Sequence, residues 1–381
     1  MAVTPRLLFV VNEAWFFVSH RLELALGARR AGYDVHVATP MSDAVAEIVA
    51  HGLTHHPIRM GRRSTNPLRE LASVRDLWRL YRELRPDVVH HVTSKPVLYG
   101  GVVARLASVP GVISAVTGLG YVFIGSDLRA RALRRVIAPA YRVALSHPHG
   151  IVIVQNPDDR KLLIELGASD AARSRLIKGA GVDMTQFTPP ETERADGELR
   201  VLLASRMLWD KGIGEFVEAA RALRARGVRA RFLLAGGTDP GNPAAIAEEQ
   251  LRAWAREGVV EWLGHRQDMA ALLRDADVVC LPSYREGLPR VLIEAAACGR
   301  PIVTTDVPGC REVVVDGETG LLVPARDAGA LATALERLLR DRALRKTMGQ
   351  RSRAIVEKEY SMQHVIEATL AAYRDVLAGA A

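Results

Sequence analysis

Cysteine is nearly absent from this chain: Cys280, Cys298 and Cys310 are the only three in 381 residues, and none forms a CxxC pair. That argues against a disulfide framework and against a zinc site of the usual spacing, and it points to a reducing compartment, the cytoplasm. No stretch approaches the roughly 20 apolar residues that span a bilayer. The opening MAVTPRLLFVVNEAWFF has a short apolar run, little basic leader and no small-residue cleavage site, so it reads as a first buried strand. A P-loop is missing, and GAGVD is too short a match to G-x-G-x-x-G to count. No repeat of about 20–50 residues and no low-complexity tract is visible. Lysine is scarce, so the basic residues are mostly arginine.

What is present is the composition of a soluble globular protein, with 49% hydrophobic and 25% charged residues. The length suits two domains, each with a sizeable core. A net charge of +8 favours polyanionic partners: nucleic acid, acidic lipid headgroups or phosphorylated substrates. Part of that charge is compositional bias towards arginine, so charge alone decides little.

Strand-like and helix-like segments alternate. Strands are expected at Leu7–Val11, Val35–Thr39, Asp87–His91, Gly111–Thr117 and Ile151–Val154, with helices at Val18–Ala31 and Asn66–Leu84. The polar, proline-rich PPETERADGE, Pro189–Glu198, reads as a linker. The alternation then restarts with strands Leu199–Ala204, Arg231–Ala235 and Val278–Leu281, a helix Gly212–Arg226 and another beginning near Pro289. Apolar strands between helices imply parallel sheets covered on both faces, hence two doubly wound α/β domains with a cleft between them. Ligands of such sheets bind beyond the strands' carboxyl ends. Three strand-to-helix loops qualify: NEAWFFVSHR, SRMLWDKG and PSYREGLPR.

In SRMLWDKG, Arg206 and Lys211 precede a helix. Two cations beside a helix N-terminus conflict electrostatically unless an anion lies between them, and a diphosphate would resolve the conflict. The plainer reading is a solvated loop with two surface charges. In SYREGLPRVLIEAAACGRPIV, Pro289 suits the first helical position, and the amides of Gly287 and Leu288 can face an anion. Glu294 falls about one and a half turns into that helix, where its carboxylate can accept the two vicinal hydroxyls of a ribose. Glu286, before the helix, would lie nearer the sugar at the other end of the same nucleotide. Otherwise Glu294 is a half-buried acid satisfied by backbone and Glu286 a solvated loop acid.

These segments, with LPSYREGLPRVLIEAAACGRPIVTTDVPGCREVVVDGETGLLVP, resemble the C-terminal domain of the retaining glycosyltransferases of family 4, which have the GT-B fold of two Rossmann-like domains facing a central cleft. The acid–seven residues–acid spacing, Glu286 to Glu294, is that family's hallmark. The resemblance extends from IKGAGVDMTQF to the C-terminal helix and more loosely over the first half, where it is similar to a bacterial subgroup extending polyprenyl-diphosphate-linked oligosaccharides. It implies an acceptor-side domain, 1–188, completed by a C-terminal helix at about 362–381, and a nucleotide-sugar-binding domain, 189–361.

The resemblance further implies that Arg206 and Lys211 bind the donor diphosphate, that Glu294 holds the ribose, and that Glu286 with the amides of Gly287, Leu288 and Pro289 faces the donor sugar. Arg266, in WLGHRQDM, matches a position whose backbone lies along the nucleobase. Two departures stand in the first half. NEAWFFVSH replaces the Gly-Gly loop of many members, and Thr117-Gly118 stands where many have His-Gly near the donor sugar. His20 and Arg21, at the head of the first helix, are candidates for the acceptor or its phosphate, against a simple helix-start role.

Other signals lead elsewhere. Asp275–Asp277 imitates a metal-binding DxD but ends a helix running into a buried strand, so a connector is expected. His90–His91 and His147/His149 lack accompanying ligands, and no metal or cofactor is expected. Residues 127–146, with Arg129, Arg131, Arg134, Arg135 and Arg142 beside an apolar face of Leu133, Ile137, Ala140 and Ala144, suit an anionic membrane surface. An arginine-rich helix packed on its own domain is the equal alternative.

The expected protein is a metal-independent, retaining glycosyltransferase using a UDP-sugar, favouring an N-acetylhexosamine. It acts on a lipid-linked saccharide at the inner face of the membrane, attached peripherally and without nucleic acid as a partner. A non-catalytic UDP-sugar or polyanion binder, or a transferase using a GDP-sugar, is the alternative; a dinucleotide oxidoreductase or epimerase is weaker, since the first turn lacks glycines.

Overall fold

The computed structural model describes residues 4–61, 66–117, 137–179, 181–191 and 197–380. They form two compact units, one of residues 1–181 with 362–381, the other of residues 182–361. The second unit begins before the linker because Val182 N–H bonds Tyr360 O at 2.9 Å, and Val182 and Phe187 are buried in its core. The expected boundary at 188/189 therefore moves back to 181/182.

The first unit is a seven-stranded parallel sheet: β1 (Arg6–Val11), β2 (Asp34–Thr39), β3 (Thr54–Pro57), β4 (Val88–Val92), β5 (Gly111–Val116), β6 (Gly150–Val154) and β7 (Ser174–Leu176), ordered β3-β2-β1-β4-β5-β6-β7. Its central strands are buried beyond Arg6, which is why β1 and β5 read as mainly apolar runs, while β4 buries His90 and His91 among valines. The edge strands β3 (THHP) and β7 (SRL) are short and polar and escape a hydrophobic reading. Helix α1 (Ala14–Arg30) starts earlier than expected, so His20 and Arg21 lie in its second turn rather than at its head. Helix α2 spans Val45–Ala50, α3 Pro67–Leu84 and α4 Gly101–Leu106. The last helix, α13 (Met362–Ala380), belongs to this unit and buries Val365, Ile366, Tyr373 and Val376 beside α1 and the sheet.

Gly118, Arg129, Arg131, Leu133, Arg134 and Arg135 lie outside the described residues. Residues 137–144 are helical (α5). Ala140 is exposed, whereas Ala138, Tyr141, Ala144 and Leu145 are buried, so the inward face differs from the expected one. Arg142 there donates to Leu166 O at 2.5 Å.

The second unit carries β8 (Leu199–Ala204), β9 (Ala230–Ala235), β10 (Glu261–Trp262), β11 (Val278–Leu281), β12 (Ile302–Thr305) and β13 (Gly320–Val323), ordered β10-β9-β8-β11-β12-β13 and parallel throughout. Helix α6 (Pro157–Glu165) precedes the linker, and α7 (Ile213–Ala225), α8 (Glu248–Arg256), α9 (Met269–Asp275), α10 (Arg290–Ala297), α11 (Ala328–Arg340) and α12 (Arg342–Glu359) follow it. In both sheets the strand order reverses once, at β1/β4 and β8/β11, the switch points beside which ligands of such sheets bind, beyond the strands' carboxyl ends. Asp275 ends α9 and Asp277 precedes β11; Arg200 bonds both, its backbone N–H to Asp277 and its side chain to Asp275, which makes the DxD a connector.

Candidate active site

The loops leaving β8 and β11 meet at the second unit's switch point. Gly212, at φ +72°, leaves no room for a Cβ against Pro282 O, and Tyr284 N–H bonds Asp210 O at 2.9 Å. Glycine is needed there because both the left-handed backbone and the close approach exclude a side chain. The contact brings Lys211 to Glu286: Nζ donates to Oε1 at 2.5 Å, and Ser283 Oγ donates to the same oxygen at 2.7 Å. Both charged side chains are largely buried, at 19% and 13% exposure. Thr305 Oγ1 in turn bonds Ser283 O from β12. Beneath them the Cys310 thiol is pushed up to about 12, first by burial and then by Glu286, and is inert as a nucleophile. All three cysteines are buried and free.

Gly309 supports the same loop from the other side. Its φ is +83°, and a Cβ would lie 2.5 Å from Gly287 O and 2.7 Å from Glu286 O. Pro289 is the N-cap of α10, with Arg290 the first helical residue, one position later than expected. An extended Pro289 at ψ 111° takes the chain out of the helix and into the loop that carries Glu286. Glu294, inside α10, is 7% exposed and accepts from Arg290 Nε at 2.6 Å. Burial pushes its carboxyl above the usual range, and the Arg290 guanidinium opposes the rise. Its partner is therefore a side chain one turn earlier, not backbone.

Arg206 turns to the neighbouring strand's loop: its Nη1 donates to Asp239 Oδ2 at 2.6 Å, and Asn242 Nδ2 donates to the same atom at 3.1 Å. The two cations of this loop thus each hold a carboxylate of the chain, Asp239 for Arg206 and Glu286 for Lys211, which offsets their conflict with the helix end. Arg266 is half-buried and pairs with Asp268 at 2.5 Å. Its segment touches the β9 loop through Gly236 N–H to Gly264 O at 2.7 Å, and Met207 N–H bonds Gly237 O at 3.0 Å. The backbones after β8, β9 and β10 therefore form one rim. Sequence reasoning missed Ser283, Asp239, Arg290 and Gly309. Ser283 and Arg290 stand three or four residues from the acids they bond, a readable spacing, whereas Asp239 and Gly309 are distant in the chain and left no signal.

In the first unit, Arg21 and Thr117 line one small cavity, together with His90, Gln155, Gly179 and Thr369. Its volume is about 10 Å³, room for a single water. Arg21 is buried, its guanidinium is lowered to about 10 by desolvation, and Nε has no hydrogen-bond partner among the described residues. His20 lies apart from that cavity, stacked on Phe16 at 4.2 Å with Ser19 Oγ 2.6 Å from Nδ1. His90 is bonded to Tyr373 at 2.7 Å and His91 to Tyr81 at 2.8 Å. Among the described residues no group of three or more metal-ligating side chains converges, and no helix is long and apolar enough to cross a membrane.

The profile described as "Glycosyl transferases group 1" matches residues 198–341, and that described as "Glycosyl transferase 4-like" matches residues 6–156. The chain is 30% identical over 328 residues to N,N'-diacetylbacillosaminyl-diphospho-undecaprenol alpha-1,3-N-acetylgalactosaminyltransferase of Campylobacter jejuni, covering 83% of this chain and 85% of that one. It is 25% identical over 356 residues to the capsular polysaccharide biosynthesis glycosyltransferase CapM of Staphylococcus aureus, 92% of each. In fold it is similar to Anabaena HepE in complex with UDP and glucose, at TM-score 0.77 and 19% identity over 96% of this chain and 98% of that one. It is likewise similar to sucrose-phosphate synthase from Thermosynechococcus elongatus, at TM-score 0.78 and 23% identity over 98% and 99%.

Proposed function

The chain belongs to glycosyltransferase family 4 and has the GT-B fold, and from that premise we propose that it transfers an N-acetylhexosamine from UDP, with retention, to a polyprenyl-diphosphate-linked saccharide. The observation that carries the donor half is the Lys211–Glu286–Ser283 cluster at the β8/β11 switch point, beside the start of α10. Lys211 and Arg206 take the diphosphate, the loop at Gly287, Leu288 and Pro289 lies against it, and Glu294 accepts the ribose hydroxyls. Arg266 marks the stretch along the base. The acceptor half is supported by the Campylobacter relative, whose name specifies an undecaprenol-diphosphate saccharide and an N-acetylated sugar. The first unit takes the acceptor, with His20, Arg21, Thr117 and Gly118 as its candidate residues.

Chemically, the acceptor hydroxyl attacks the anomeric carbon from the face the diphosphate leaves. The glycosidic bond forms as the carbon–phosphate-oxygen bond breaks, and a phosphate oxygen takes the hydroxyl proton. Glu286 supports the oxocarbenium charge, and Lys211 and Arg206 stabilise the departing diphosphate, the work a metal ion does in other transferases. On this reading no metal or other cofactor is required. The protein works in the cytoplasm, peripheral to the inner face of the membrane, on an acceptor held there.

Incubating the chain with UDP-N-acetylhexosamines and a lipid-diphosphate saccharide, then assigning the new anomeric centre by NMR, tests transfer and stereochemistry together. An inverted product would overturn retention. A thermal-shift panel of UDP-, GDP- and ADP-sugars identifies the carrier, because ligand binding to the native state raises its stability; a shift with GDP-sugars alone would replace the UDP assignment.

A further inference from the structure

Helix α3 presents an outer face that nothing among the described residues covers. Leu68, Leu71 and Trp78 are exposed at 78%, 65% and 46%, although Ser73, Leu77 and Tyr81 anchor the opposite face in the core. Leu71, Arg75, Trp78 and Arg82 recur at i, i+4, i+7 and i+11, a single stripe, and Leu68 and Arg79 border it. Among the described residues Arg75, Arg79 and Arg82 hold no carboxylate in an ion pair; the Arg82 guanidinium lies 5.9 Å from the centre of the Trp78 ring. Of the helix's own acids, Asp76 is engaged by Arg59 at 2.6 Å and Glu70 by Lys95 at 2.8 Å, which leaves Glu83, off the stripe, to offset the arginines.

We propose that this stripe is where the protein lies on an anionic lipid bilayer, with Leu68, Leu71 and Trp78 entering the interface and Arg75, Arg79 and Arg82 meeting the headgroups. Charge complementarity selects that occupant. A second copy paired face to face would set arginine against arginine, which disfavours self-association. Apolar side chains with tryptophan, flanked by arginines, are the chemistry of an interfacial helix. The stripe from Leu68 to Arg82 runs about 21 Å along the axis at 1.5 Å per residue. Its first turn lies at the carboxyl ends of the strands, the same end from which α1 and its candidate acceptor residues start. A bilayer on α3 would therefore present a lipid-linked acceptor at that end. The inference rests on the acceptor assignment proposed above, and it places the surface on α3 instead of residues 127–146.

The test uses the full chain and vesicles of equal parts phosphatidylglycerol and phosphatidylcholine. Replacing Arg75, Arg79 and Arg82 with glutamate should weaken vesicle binding by about a hundredfold or more, as should adding high salt to the parent. Brominated lipids should quench parent fluorescence, and Trp78→Phe should remove most of that quenching. UDP binding and transfer to a short-chain, water-soluble acceptor should stay at the parent's level in both variants. Undiminished vesicle binding by the triple variant, or quenching that survives Trp78→Phe, would overturn the α3 surface. So would a concentration-dependent dimer broken by the triple variant in the absence of lipid. Vesicle binding through α3 with no transfer to either acceptor would leave the surface standing and sink the acceptor assignment instead.

Discussion

Lys211 Nζ lies 2.5 Å from Glu286 Oε1, tying the cation beside α7 to the acid before α10 across 75 positions of sequence. The cation assigned to the diphosphate and the acid assigned to the sugar thus hold each other in place. Under the proposed roles, a donor phosphate that takes Lys211 would free Glu286 for the anomeric carbon, which couples the two.

That coupling is measurable. Lys211→Ala and Glu286→Ala should each reduce kcat by about a hundredfold or more, the cost of removing a group aimed at transition-state charge. Because each leaves the other's charge unpaired, the double variant should lose less than the product of the two single losses. Strict multiplicativity would show that the pair does not act as a unit.

The proposed metal-free transfer, with Arg206 and Lys211 neutralising the leaving group, predicts the same initial rate in EDTA as in buffer with manganese. Activity lost in the chelator and restored by a divalent ion would refute the proposed chemistry.

Burial raises the Glu294 carboxyl above its ordinary 4.5, with Arg290 opposing. The folded chain then holds this proton more tightly than the unfolded chain does. Its stability contribution is full below pH 4.5 and is lost as pH rises through the folded value. Glu294→Gln should therefore raise the thermal midpoint at pH 7 while weakening UDP binding by about tenfold, through loss of a charge-assisted hydrogen bond. Parent-like UDP affinity in calorimetry would remove Glu294 from the ribose.

Gly309→Ala should lower stability by about 1–2 kcal/mol through its positive φ alone, and should cost turnover as well by pushing on Glu286 and Gly287. Gly317→Ala is the control: its φ is +74° but a Cβ there meets nothing within 4 Å. Chemical denaturation should show both losses, and only Gly309→Ala should lower kcat. Equal activity of the two variants would mean that the loop tolerates displacement.

His91, buried and bonded to Tyr81, is lowered by desolvation from 6.5 to about 3. The unfolded chain takes up its proton first as pH falls, so stability is full above pH 6.5 and declines towards pH 3 by up to about 1.4 kcal/mol per unit for this group. His91→Gln should lower stability at pH 7 by losing the ring's packing, yet flatten that slope in urea titrations between pH 6 and 4. An unchanged slope would assign the acid sensitivity to other groups, the equally buried His90 first.

Sequence by itself determined the central strands of both sheets, because burial on both faces makes them mainly apolar, as in Leu7–Val11 and Val278–Leu281. It also marked the loops after β8 and β11, where glycine, proline and charge interrupt that pattern and where Lys211 and Glu286 stand. Edge strands β3, β7 and β10 were not legible, since one side faces solvent and two to four residues carry no period. Only the tertiary structure decided who neutralises whom: Asp239 holds Arg206 from 33 positions away and Glu286 holds Lys211 from 75, pairings set by strand order and invisible to local spacing. The structure likewise decided that Arg21 is buried and that α3 leaves Trp78 exposed, because a helical period shows that faces differ, and only packing against a particular neighbour settles which face turns inward.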